Sequence, residues 1–301
     1  MFGELLGLCL AQSWLDQGRP EPFLLAEIGP GRGTLMADTL RAIRAVPGMR
    51  AAARVHLVEA SPGLRARQEQ ALAGQGAVWH DQIAELPDGP LFLVANEFFD
   101  ALPIRQFQRL GMGWAERQVG LAKGQLTFGL SPLMRPGFLE QRLADTKDGD
   151  IVEFSPALPS IAGEIARRIE AQGGTALVID YGGWHGRGDT FQALQAHQPV
   201  HPFATPGAAD LTAHVDFEAL ALAFTAAGAA VTGMTAQGVF LERLGITART
   251  AALAHNLNGA ALESHVAAHR RLTHPAEMGE LFKVIACHPK ATPPPPGLDP
   301  A

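Results

Sequence analysis

Short, uninterrupted apolar runs alternate along the chain with segments whose apolar residues recur at helical spacing. That alternation predicts parallel strands, buried on both faces and covered by helices. Residues 2–16 read as a helix, Phe23-Leu24-Leu25-Ala26-Glu27-Ile28 as a buried strand, and residues 34–46 as a helix stopped by Pro47-Gly48. Arg54 to Glu59 forms a second strand. The helix after it opens at Ser61-Pro62, where Ser caps free N–H groups and Pro suits the first position. Ala77 to His80 is a short third strand, and Leu91 to Ala95 a fourth that ends at Asn96-Glu97. A helix over 157–172 and a strand over 175–180 follow. Then come a helix over 216–228 capped by Asp216, three more helical segments up to about 272, and a last strand over 281–286.

Three stretches depart from the alternation. Residues 104–154 are punctuated by Gly111, Gly113, Gly120, Gly124 and Gly129 and read as a β-rich insertion. Residues 184–214 read as a long polar loop of the kind that usually carries function. The tail 289–301, with Pro293 to Pro296, is expected to be extended or disordered. The expected organisation is one domain over 1–288 with the insertion inside it.

Composition narrows the picture. Of 301 residues, 47% are hydrophobic and 18% charged, enough apolar surface for a large core. The 33 Gly and 22 Pro predict many turns around that core. A net charge of −6 argues against a nucleic-acid partner, because phosphate neutralisation needs clustered Lys and Arg. The two cysteines, Cys9 and Cys287, form no C-x-x-C, and a reducing compartment is the default; the expected setting is cytoplasmic (bacterial). No run of about 18 apolar residues predicts a membrane span, and the N-terminus lacks a basic start.

The chemistry concentrates at strand ends. Glu27-Ile28-Gly29-Pro30-Gly31-Arg32-Gly33-Thr34 sits where a strand turns into a helix, the place where open α/β sheets bind ligands. Gly29, Gly31 and Gly33 let the backbone approach a ligand closely. The spacing is not that of a dinucleotide fingerprint, and no Lys supplies a phosphate loop. Glu27 would repel a pyrophosphate but tolerate a sulfonium or amino group. Glu59, closing the second strand, can accept hydrogen bonds from ribose hydroxyls. A glycine turn with a ribose carboxylate and no phosphate-binding feature fits S-adenosylmethionine. Asp81, past the third strand, could meet an adenine edge or simply shape a turn.

The fourth strand runs into Asn96-Glu97-Phe98-Phe99-Asp100-Ala101-Leu102-Pro103. Carboxylates there could hold a cationic substrate while the Phe rings exclude water. Weaker candidates are Glu153, Asp180 and the stretch Asp210–Asp216; Ser155 reads as a helix cap. No His spacing indicates a metal, and neither Ser61 nor Ser155 stands in a hydrolase frame.

Together these motifs resemble the MidA-like class I methyltransferases, a family that includes a mitochondrial protein arginine methyltransferase acting in respiratory complex I assembly. The likeness continues through Val58-Glu59-Ala60-Ser61-Pro62, Ile179-Asp180-Tyr181-Gly182, Gly188-Asp189-Thr190, Asp210–Phe217 and Met278–Lys283. The Asn96–Pro103 piece is the specific one. The resemblance implies a Rossmann-like, seven-stranded α/β sheet, S-adenosyl-L-methionine as methyl donor and no metal. It also implies a protein substrate, with a complex I subunit as the expected acceptor. Family members carry a Gly-, Asp- and Tyr-rich segment before Phe2-Gly3-Glu4. The sequence begins where that segment would end, so an upstream piece of the site is expected or is lacking in this form.

The roles that follow are these. Glu27, Gly29, Gly31, Gly33, Glu59 and Asp81 are expected to contact the donor. Glu97 and Asp100 are expected to orient the acceptor guanidinium, and Asn96 to anchor acceptor or donor. The alternatives are a non-catalytic complex I assembly protein that keeps the fold, and a nucleotide-dependent oxidoreductase, against which Glu27 and Thr34 speak.

Overall fold

A computed structural model describes residues 1–196 and 198–301. The chain divides into two compact units, where the sequence suggested one domain with an insertion. The first comprises Met1–Phe98, Ser160–Tyr181 and Leu220–Ala301, the second Phe99–Pro159 and Gly182–Ala219.

The first unit is built on strands β1 (Phe23–Ile28), β2 (Ala53–Val58), β3 (Val78–His80), β4 (Leu91–Asn96), β5 (Gly174–Gly183), β6 (Ala230–Val231) and β7 (Phe282–His288). Their order is β6-β7-β5-β4-β1-β2-β3. Strands β1 to β5 pair in parallel, whereas β7 runs antiparallel to β5 and β6 antiparallel to β7. The expected mainly parallel α/β sheet is therefore present. Strand β1 lies between β2 and β4, so the order reverses there and opens a crevice at the strands' C-terminal ends.

All six residues of β1 are buried, which is why the run is continuously apolar except for Glu27. Helix α1 (Phe2–Asp16) brings Trp14 to 5.9 Å from Phe23, which in turn meets Phe92 edge-on at 5.2 Å. Each such buried side chain contributes about 1.5–3 kcal/mol by leaving water. Helix α2 (Thr34–Ile43) is tied to α1 by the Thr39 hydroxyl, which donates to the Gly3 carbonyl at 3.1 Å. It ends three residues earlier than the sequence suggested. Helix α3 (Pro62–Ala71) begins as expected, with the Ser61 hydroxyl accepting from the Leu64 N–H at 3.4 Å.

The tail differs from expectation. Leu298 is buried, Cys9 Sγ donates to the Pro296 carbonyl, and Arg243 pairs with Asp299 at 2.8 Å. Its prolines stiffen a segment that one buried Leu and an ion pair then anchor. Cys9 and Cys287 are both free and buried.

In the second unit, Arg105–Leu110, Gly113–Ala122, Gln125–Leu130 and Ile151–Phe154 form a four-stranded antiparallel sheet. Phe107, Trp114, Leu139 and Val152 make its core. The stretch read as a polar loop carries three short strands, Gln192–Gln195, Gln198–Val200 and Asp210–Thr212, paired antiparallel. They are too short and polar to show an alternating pattern. Among the described residues, no helix is long and apolar enough to cross a membrane.

Candidate active site

The crevice at the end of β1 is shaped first by the glycine turn. Gly29 and Gly31 hold φ of 63° and 51°, the left-handed region that L side chains adopt at a cost. A Cβ on Gly29 would lie 3.0 Å from the Phe98 ring, whereas one on Gly31 would meet nothing within 4 Å. Gly29 therefore serves packing as well as shape, and Gly31 leaves its side of the turn open. The Gly29 N–H donates to the Val58 carbonyl at 3.1 Å, stitching the turn to β2. Gly33 precedes α2 with φ 77°.

Glu27 is 3% exposed. Burial pushes its carboxyl up to about 8, opposed only by the backbone N–H of Met36 in the first turn of α2. Among the described residues, its Oε2 has no hydrogen-bond partner.

Glu59 is half-buried just past β2. Its Oε1 accepts from the Ser61 N–H at 2.8 Å and its Oε2 from Gln68 Nε2 at 3.1 Å. An ionised carboxylate has about four lone-pair sites. Two are taken, which leaves capacity for a vicinal diol.

Gln68, on α3, escaped the sequence reading. It is fully buried, and its Nε2 also donates to the Gly31 carbonyl at 2.8 Å. Its Oε1 accepts from Trp79 Nε1 at 2.8 Å. One amide thereby joins the glycine turn, the Glu59 carboxylate and β3. The only signal available was a Gln amid a polar helix, which does not mark it out.

Asp81 is exposed and paired with Arg65 at 2.6 Å. Arg65 Nε also donates to the Glu59 carbonyl at 2.6 Å, so this pair braces the same strand ends. Beside them, His56 Nδ1 and His80 Nε2 stand 2.9 Å apart, and burial pushes the His56 imidazole down to about 4.

At the end of β4, Asn96 is half-buried and its Nδ2 donates to Glu97 Oε1 at 3.3 Å. Glu97 is exposed and holds φ of 52°, a costly conformation for a residue with a side chain. Its N–H donates to the Ile179 carbonyl at 3.0 Å, so the kink is anchored while the carboxylate stays in solvent. The next residue, Phe98, is the one that covers Gly29.

Asp100 belongs to the second unit and is buried; its carbonyl accepts from the Ala213 N–H at 3.0 Å. Asp180 is fully buried in β5. Asp216 caps helix α4 (Phe217–Ala226) as expected, its Oδ1 accepting from the Ala219 N–H at 2.9 Å. Ser155 does not cap: its buried Oγ has no hydrogen-bond partner among the described residues.

Residues 5–235 match the family Methyltransf_28, described as "Putative S-adenosyl-L-methionine-dependent methyltransferase". The chain belongs to this methyltransferase family. It is 33% identical over 318 residues to a Drosophila melanogaster protein named Protein arginine methyltransferase NDUFAF7 homolog, mitochondrial, covering 96% of this chain and 72% of that protein. It is 32% identical to the Homo sapiens NDUFAF7, covering 96% and 71%. A crystal structure of a COG1565 superfamily member from Burkholderia thailandensis, bound to S-adenosyl-homocysteine, superposes with a TM-score of 0.81 at 29% identity, covering 98% of this chain and 78% of that one. The family and fold expected from the motifs are those found.

Proposed function

We propose that this methyltransferase moves the methyl group of S-adenosyl-L-methionine to a guanidinium nitrogen of a protein arginine. The acceptor we propose is a respiratory complex I subunit, and the setting a bacterial cytoplasm. The observation that carries the donor half is Glu59, held by Ser61 and Gln68 with lone pairs to spare beside an open Gly31. The relatives named as protein arginine methyltransferases support the acceptor half.

The reaction is a direct displacement in which the methyl carbon leaves sulfur and bonds to nitrogen, which then gives up a proton. The protein's task is alignment and charge placement. In this reading Glu59 accepts from the ribose hydroxyls, and the glycine turn admits the donor's backbone-like chain. Glu97, Asn96 and Asp100 orient the guanidinium, whose pKa above about 12 makes it a poor nucleophile until carboxylates polarise it. Glu27 and Asp81 act from beneath and beside the donor.

The test is labelled S-adenosyl-L-methionine with candidate complex I subunits, read by mass spectrometry for methylated arginine. A protein that binds the donor yet labels only another residue type overturns the acceptor. One that binds no donor supports the assembly-protein alternative.

A further inference from the structure

The antiparallel four-stranded sheet of the second unit ends on an open edge. Its strand order places Gln125–Leu130 outermost, and among the described residues that strand pairs only with Gly113–Ala122. Lys123 and Gly124 join the two strands with φ of 52° and 78°, the positive values that a tight two-residue hairpin turn requires. An edge strand presents unpaired N–H and C=O groups, and proteins usually blunt it with charge, Pro or a bulge. Gln125-Leu126-Thr127-Phe128-Gly129-Leu130 contains neither a charged residue nor Pro, and its register with Gly113–Ala122 runs without a bulge.

The register fixes which groups are free. The Ser131 N–H donates to the Glu116 carbonyl at 2.9 Å, so Ser131 holds a hydrogen-bonded position opposite Glu116. Antiparallel pairs alternate between bonded and non-bonded positions. Gly129, Thr127 and Gln125 therefore turn their backbone groups to the inner strand, and Leu130, Phe128 and Leu126 turn theirs outward. The side chains of these last three share one face of the hairpin with Val119 and Leu121, which stand opposite Phe128 and Leu126. That face is apolar and open: Leu126 is 38% exposed, Leu130 49%, Val119 55% and Leu121 75%. Phe128 is half-buried, between the Phe203 ring at 4.6 Å and the Arg117 guanidinium at 4.1 Å. The charge of Arg117 is matched by Asp189 at 2.6 Å.

The edge is complementary to itself. Leu126-x-Phe128-x-Leu130 reads the same in both directions. Antiparallel pairing with a second copy about Phe128 sets Leu126 opposite Leu130 on either side of the axis, Phe128 opposite its counterpart, and Thr127 opposite Gly129. The outward backbone groups fall at the bonded positions of that register, and no like charges meet. A two-fold axis at Phe128 satisfies both edges at once, so the contact closes at two copies.

We propose that Gln125–Leu130 is a homodimer interface, pairing antiparallel with the same strand of a second copy to join the two sheets into one. The inference is independent of the methyl-transfer reading.

The test is sedimentation velocity on the full chain over a micromolar concentration series. Wild type should dimerise with rising concentration. Leu126→Lys/Leu130→Lys should weaken dimerisation about tenfold or more, because two like-charge pairs replace two apolar ones. Leu126→Glu/Leu130→Glu should do the same. Both positions are exposed, so circular dichroism and the melting temperature should stay those of wild type. Mixing the two double variants sets Lys opposite Glu and should restore a dimer. A wild type that stays monomeric throughout, a Lys variant that dimerises as wild type does, or a mixture that stays monomeric overturns the proposal.

Discussion

Trp79 Nε1 donates to Gln68 Oε1 at 2.8 Å, and this contact decides which way the Gln68 amide faces. An indole N–H can only donate. The oxygen of Gln68 must therefore point at Trp79, and its NH2 group at Gly31 and Glu59. A side chain from β3 thus orients the carboxylate that we assign to the donor ribose.

Replacing Gln68 with Leu leaves the half-buried Trp79 N–H and the Gly31 carbonyl without their partner and releases Glu59. Such orphaned groups cost about 1–3 kcal/mol. We expect a lower melting temperature together with a loss of about tenfold or more in affinity for S-adenosyl-homocysteine, read by calorimetry. Trp79→Phe, which removes only the N–H, should give a smaller loss in the same direction.

Glu59→Ala should weaken S-adenosyl-homocysteine binding about 10- to 100-fold, the range for hydrogen bonds to a charged group of about 1.5–3 kcal/mol. Circular dichroism should show an intact fold. Unchanged affinity would leave Glu59 with only the Ser61 N–H and the Gln68 amide to serve.

Gly29→Ala and Gly31→Ala separate packing from access. Both place a side chain at positive φ, at a cost of about 1–2 kcal/mol. The Gly29 variant also presses a methyl against Phe98, so its melting temperature should fall further. The Gly31 methyl points into open space, so its main effect should be on donor affinity. Equal affinities for wild type and the Gly31 variant would remove Gly31 from the donor surface.

Glu27 makes stability depend on pH. Its folded pKa, about 8, lies above the unfolded value of 4.5. Below pH 4.5 the acid is neutral in both states and its contribution is complete. As pH rises from 4.5 to about 8 the unfolded chain ionises first, and stability is lost. Glu27→Gln should abolish this component, so the melting-temperature difference, variant minus wild type, should grow across that interval. A difference that stays flat would mean that Glu27 is already ionised in the folded protein.

Much of the fold was legible because its strands are buried on both faces and so spell continuous apolar runs. The turns beside them carry chemistry of their own, from Gly29 to Gly33 and at Ser61-Pro62. The candidate donor residues lie on those same turns. Gln68 was not legible, since its burial is created by Trp79 and the glycine turn, distant in sequence and brought together by β2–β3 pairing. The strands between Gln192 and Thr212 were hidden by their polarity. The packed tail was hidden by its prolines, which mark stiffness but do not reveal that Leu298 is buried. Ser155 looked like a cap because Ser-Pro before a helix usually is one; here its hydroxyl has no partner among the described residues.

The most direct test of the central claim pairs wild type with Glu97→Gln, using S-adenosyl-L-methionine labelled in the methyl group and a complex I subunit as acceptor. The account predicts methylarginine from wild type. It predicts turnover reduced at least tenfold in the variant, with donor affinity within about twofold of wild type, because Glu97 acts on the acceptor. Full donor binding with no methylarginine in any acceptor protein, or equal losses of turnover and donor affinity in the variant, would contradict it.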